Sequence, residues 1–162
     1  MSIKLATESE ALNLLKKLYG NGQRKHRIYA FYSTELQSII TDEHLMVIPI
    51  DERMATRAHA VFDVIYVKKL NIINLESHVS RLFKSSESVS INPPISKEEM
   101  ACTIQDVLSE LMNKMLREGH SYKALKQQDF AIRLCVSSGY GDFGISSIVS
   151  ILLFRIKDQC FI

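Results

Sequence analysis

Between residues 28 and 50 the apolar side chains fall into three short β-rich runs, at 28–32, 36–41 and 45–50. Their connections, Thr34-Glu35 and Asp42-Glu43-His44, are tight. Strands joined so closely form an antiparallel meander. Strand character resumes at 60–67 and 72–75, with a turn over 68–71, and again at 130–136 and 147–156. Pro49 has no amide to donate and is expected at an edge or strand end. The segments 51–56 and 120–129 read as loops.

Helical periodicity occupies the rest. Thr7-Glu8-Ser9-Glu10 is a capping box, followed by apolar residues at Ala11, Leu12, Leu15, Leu18 and Tyr19. Gly20 and Gly22 close that helix, and 23–27 is a short basic link. A second helix is expected over 74–88, with Leu75, Val79, Leu82 and Phe83 on one face. Asn92-Pro93-Pro94 breaks the chain. A second capping box, Ser96-Lys97-Glu98-Glu99, opens the longest helix, which Gly119 ends. Strands in runs beside helices in runs predict an α+β fold, a mostly antiparallel sheet with two or three helices packed on one face.

A chain of 162 residues with 46% apolar and 23% charged side chains is one ordinary globular domain. Twenty basic and eighteen acidic residues leave a formal charge of +2, so nothing draws it to nucleic acid or to acidic membranes. The N-terminal segment is broken by charges and is not a signal peptide, and 145–154 is too short to span a membrane. Cys102, Cys135 and Cys160 are widely spaced, which reads as buried free thiols in a reducing, cytoplasmic setting, with no metal centre.

No complete catalytic constellation is present. The five histidines lack metal-ligand spacing, no serine sits in a nucleophile elbow, and 139–144 is glycine-rich without matching a phosphate loop. On pattern alone that segment is a flexible strand connection. Arg81 shares a helical face with His78, three residues earlier. Its guanidinium suits phosphate, yet on pattern alone it reads as part of a solvated helix face. Arg133 interrupts an apolar strand, either to meet an anion or because it faces outward. Phe62 is most simply core.

Several runs together resemble the N-terminal domain of the fold-type IV pyridoxal-phosphate enzymes. These are Met46-Val47-Ile48-Pro49-Ile50-Asp51, Arg57-Ala58-His59-Ala60-Val61-Phe62-Asp63 and Glu76-Ser77-His78-Val79-Ser80-Arg81-Leu82. The run Ser138-Gly139-Tyr140-Gly141-Asp142-Phe143 and the helical extension are most similar to the plant-type D-amino-acid aminotransferase branch. The resemblance is colinear over nearly the whole chain. It divides the chain into an extension, 1–27, and the small domain, 28–162.

The resemblance implies that Arg81 binds the phosphate of pyridoxal phosphate, that Phe62 lines the substrate pocket, and that Arg133 meets a substrate carboxylate. It implies amino-group transfer between an amino acid and a 2-oxo acid, in a homodimer. Aminodeoxychorismate lyase activity is the alternative within the family, and a non-catalytic dimerisation or regulatory domain the alternative outside it. Ala58 and Ala60 stand where the family often has glycine. Ser138 stands near the arginine with which bacterial D-amino-acid enzymes trap the substrate carboxylate. The family's Schiff-base lysine lies in a second domain; Lys123, Lys126 and Lys157 do not match it, so the chain alone is expected to be inactive.

Overall fold

The computed structural model describes residues 5–20, 28–141 and 160–161. It is an α+β fold; among the described residues six strands form one sheet in the order β2-β1-β6-β5-β3-β4. The strands are β1 (Phe31–Ser33), β2 (Ser38–Ile40), β3 (Ala60–Lys68), β4 (Asn71–Ile72), β5 (Phe130–Ser137) and β6 (Cys160–Phe161). Every described pairing is antiparallel. The helices are α1 (Glu8–Gly20), α2 (Arg53–Arg57), α3 (Leu75–Ser88), α4 (Lys97–Arg117) and α5 (Tyr122–Leu125).

The longest ladder of the sheet joins β3 and β5, pairing Ala60 with Ser137 at one end and Val67 with Phe130 at the other. Alternation then assigns the two faces. Ile65, Val67, Ile132, Leu134 and Val136 point one way, and all are buried. They pack against Val79 and Leu82 of α3 and Met100, Ile104, Val107 and Leu108 of α4. The opposite face carries Phe62, Tyr66 and Arg133, all exposed.

Local chemistry explains the helix ends. Both capping boxes form: Thr7 exchanges hydrogen bonds with Glu10, and Ser96 with Glu99. The α4 helix closes in a Schellman arrangement. His120 N donates to Met115 O at 3.0 Å and Gly119 N to Leu116 O at 3.1 Å, with Gly119 at φ +91°. Between β3 and β4 the two turn residues, Lys69 and Leu70, both have positive φ, as a tight two-residue hairpin requires.

Several expectations fail. Residues 45–50 are not a strand: a 3₁₀ turn covers Glu43–Leu45, and no described strand pairs with residues 46–50. Local turns take those backbone groups instead, as Val47 N donates to Leu45 O and Glu52 N to Pro49 O. The loops expected at 51–56 and 120–129 contain α2 and α5. Glu52 caps α2 by accepting from Met54 N, and Ser121 caps α5 by accepting from Ala124 N. Cys135 is a buried free thiol but Cys102 is exposed on α4. The strand expected at 147–156, the link 23–27 and Lys157 lie outside the described residues.

Candidate functional site

Asp63 occupies the core-facing side of β3, where its neighbours in the alternation are Val61, Ile65 and Val67. An isolated carboxylate is costly to bury, so its partners decide whether it is tolerated. Helix α3 packs on β3 and supplies them. Arg81 Nε donates to Asp63 Oδ2 at 2.7 Å and Nη2 to Oδ1 at 2.5 Å, a bidentate pair. Val64 N donates to Oδ1 at 2.7 Å. His78 Nδ1 lies 3.0 Å from Oδ1 and 2.9 Å from Arg81 Nη2, so its tautomer decides whether it donates to the carboxylate or accepts from the guanidinium.

The side chain of Asp63 is 5% exposed, while that of Arg81 is 63% exposed. The guanidinium therefore has one edge fixed against a buried anion and the other in solvent. Among the described residues, Nη1 has no partner.

The Arg81 hydrogen bonds, with help from those of His78 and Val64, outweigh burial and hold the Asp63 carboxyl below the usual 3.8, at about 2. Asp63 in turn raises the affinity of Arg81 for its proton. A carboxyl lowered in the folded state stabilises the protein above about pH 4, and that contribution is lost as pH falls through about 2. Between pH 4 and 2 the wild type is expected to lose about 1–2 kcal/mol more stability than Asp63→Asn, the figure being reduced for the exposed partner. Urea midpoints measured across that range check this; parallel profiles would refute it.

Phe62 and Arg133 come together on the other face of the sheet. The Arg133 guanidinium carbon sits 4.7 Å from the Phe62 ring centroid, a cation–π contact. Phe62 is 61% exposed and is not core. It is out of phase with the buried alternation of β3. The structure thus joins Phe62 to Arg133 and joins Arg81 to Asp63 and His78. Consecutive residues 62 and 63 point to opposite faces, which separates the two groups.

The glycine-rich segment is held by backbone bonds over residues 139–141, while residues 142–144 lie outside the described residues. Arg53 N donates to Gly139 O at 2.9 Å, Gly141 N to Asp51 O at 2.9 Å, and Glu52 bridges to Tyr140. At Gly141 a Cβ would lie 2.5 Å from Arg53 Nε, so a side chain there would require the Arg53 side chain to shift. Glu52, fully buried, accepts from Met54 N and from the Ser137 hydroxyl, and Ser137 Oγ accepts from Gly139 N at 3.1 Å. Ser138 Oγ is buried without a partner among the described residues.

Asp63, Glu52 and Ser137 escaped the sequence reading. One signal was present for Asp63: it is the acidic member of an otherwise apolar alternation, 61-63-65-67, on the face bound for the core.

No protein-family model matches the chain. It is 29% identical over 130 residues to the chloroplastic D-amino-acid transaminase of Arabidopsis thaliana, covering 80% of this chain and 30% of that protein. Its fold matches a branched-chain amino acid aminotransferase of Escherichia coli, with a TM-score of 0.59 at 12% identity, over 83% of this chain and 38% of the other. It also matches a hypothetical aminotransferase from Mycobacterium tuberculosis in its PLP-bound form, with a TM-score of 0.57 at 14% identity, over 82% and 38%. The chain therefore spans less than half the length of these relatives. Among the described residues no helix is long and apolar enough to cross a membrane.

Proposed function

We propose that the chain is the N-terminal part of a fold-type IV aminotransferase and supplies one side of a pyridoxal-phosphate site for amino-group transfer between an amino acid and a 2-oxo acid; its likeness to the chloroplastic D-amino-acid transaminase and to the aminotransferase fold supports this. The observation that carries this reading is the outward edge of Arg81. A permanently charged fork, braced from behind and open in front, fits a phosphate dianion. Pyridoxal phosphate, when bound, supplies the electron sink that such transfers use.

The roles proposed for the chain's own residues follow the resemblance; Arg81 is held on the helix side of β3 and Arg133 on the opposite face, so the two are proposed for different parts of the bound molecules. Arg81 takes the phosphate through Nη1. Arg133, held over the Phe62 ring, offers a charge to a substrate carboxylate, and the ring gives an apolar wall. None of Lys123, Lys126 and Lys157 is proposed to anchor the cofactor, and on this reading the 162 residues alone do not perform transamination. The open β3–β5 face, with Phe62 and Tyr66 both more than half exposed, supports self-association of the intact protein. The free Cys135 thiol suits a reducing compartment such as the cytoplasm.

The test is a titration of the purified chain with pyridoxal phosphate and, in parallel, with pyridoxal. Arg81→Ala is expected to weaken pyridoxal-phosphate binding by about tenfold or more, the value of a lost charge-assisted hydrogen bond, and to leave pyridoxal binding unchanged. Borohydride is expected to trap no stoichiometric lysine adduct. Equal affinity of variant and wild type for pyridoxal phosphate would refute the role of Arg81, and an adduct at one lysine would refute the reading that no lysine of the chain anchors the cofactor.

A further inference from the structure

We infer that Asp63 is a positioning residue for anion binding: it fixes the Arg81 guanidinium so that one edge, through Nη1, is presented to a phosphate group. The inference rests on the reading of Arg81 as a phosphate ligand and adds to it a residue that touches no ligand itself.

The geometry argues for positioning over simple charge pairing. Arginine has a long side chain with many rotamers, and an exposed one samples them freely. Here Nε and Nη2 are both held by the two oxygens of one carboxylate, at 2.7 and 2.5 Å. That contact fixes the plane of the guanidinium as well as its place. The carboxylate is itself immobile, being a core-facing residue in the middle of the β3–β5 ladder, opposite Leu134. It is also tied to its own strand by Val64 N, and it has His78 on its open side. A buried strand residue therefore sets the orientation of an exposed helix residue, and α3 and β3 are locked in register by the same contact.

Bracing also has a cost, because the carboxylate's negative charge repels the phosphate it helps to place. The two effects have opposite signs when Asp63 is neutralised. As a mere counter-ion, Asp63 opposes anion binding, and Asp63→Asn tightens it by removing the repulsion. As a positioning residue, its loss frees the guanidinium, and binding weakens because ordering Arg81 is then required of the ligand. The sign of the change separates the two roles.

The experiment uses the full 162-residue chain, wild type, Asp63→Asn and Arg81→Ala, labelled with ¹⁵N-arginine. Solvent exchange of the Arg81 Nε–H proton is measured by NMR, and each protein is titrated with pyridoxal phosphate. Wild type is expected to show a protected Arg81 Nε–H. Asp63→Asn is expected to show faster exchange and about fivefold weaker binding of pyridoxal phosphate, with amide shifts away from residues 63, 78 and 81 unchanged. Binding by Asp63→Asn as tight as wild type or tighter, with Arg81→Ala still impaired, would overturn the positioning role and leave the phosphate reading standing. Wild-type affinity in Arg81→Ala would overturn both. Arg81 Nε–H exchange that does not differ between wild type and Asp63→Asn would overturn the positioning role on structural grounds alone.

Discussion

Leu134→Ala is expected to lower the unfolding free energy by about 3–4 kcal/mol, the range for removing three carbons from a core that cannot collapse around the gap. Leu134 is fully buried in the middle of β5, paired with Asp63 on β3. It belongs to the cluster that joins β3 and β5 to α3 and α4. Its side chain is in the layer between sheet and helices, and neither is able to move inward without disturbing the β3–β5 register. A domain of this size is stable by about 5–15 kcal/mol, so the variant would approach the edge of folding at moderate temperature. Urea denaturation checks the value. A loss below about 1 kcal/mol, with an unchanged dependence on urea, would mean that the helices do not close over this face as described.

Ser137→Ala is expected to destabilise the fold by about 2–3 kcal/mol although it removes one oxygen and leaves no cavity of consequence. The reason is what the oxygen does. It donates to the carboxylate of Glu52, which is completely buried, and it accepts from Gly139 N. Without it, two buried polar groups lose a partner, and one of them carries a carboxylate. Met54 N remains on Glu52, which is why the loss is not greater. The double variant Ser137→Ala with Glu52→Gln tests the cause, since a neutral amide is less costly to leave short of a partner. Recovery of part of the lost stability in the double variant is the expected outcome; additive losses would show that Ser137 and Glu52 are not coupled. Because the same bonds tie the end of β5 to the start of α2, the single variant should also expose residues 137–141 to faster amide exchange.

The helices were legible from the chain because their signals are local. A capping box needs only residues three apart, and the Ser96–Glu99 pair forms as its spacing dictates. The Gly119 stop needs only freedom to take positive φ. Runs of β-rich apolar residues likewise marked β3 and β5, and both lie on the core. Residues 45–50 carry the same kind of pattern and do not form a strand. Whether a β-rich run becomes a strand depends on a neighbour offering backbone partners, and here local turns take them. Ile50, 77% exposed, shows that an apolar residue need not mark a buried face. The short α2 escaped for the opposite reason. Five residues carry almost no intrinsic helical stability, and the helix exists where Glu52 is held between Met54 N and Ser137.

The candidate site divides in the same way. Colinear motifs singled out Arg81 and Phe62, the interruption of an apolar strand singled out Arg133, and the spacing of His78 and Arg81 placed both on one helical face. Nothing local could reveal that a carboxylate eighteen residues before Arg81 would meet both, because that contact exists only once α3 lies on β3. Nor could the chain show that Phe62, read as core, would face outward beneath Arg133: the direction of a strand side chain is set by which face the helices cover. By itself the sequence determined the elements with local signals and the chemical character of the three residues, through periodicity, capping and side-chain type. Tertiary structure alone decided their partners, since the β3–β5 register and the docking of α3 bring Asp63 to Arg81 and leave Phe62 with Arg133 on the opposite side of the sheet.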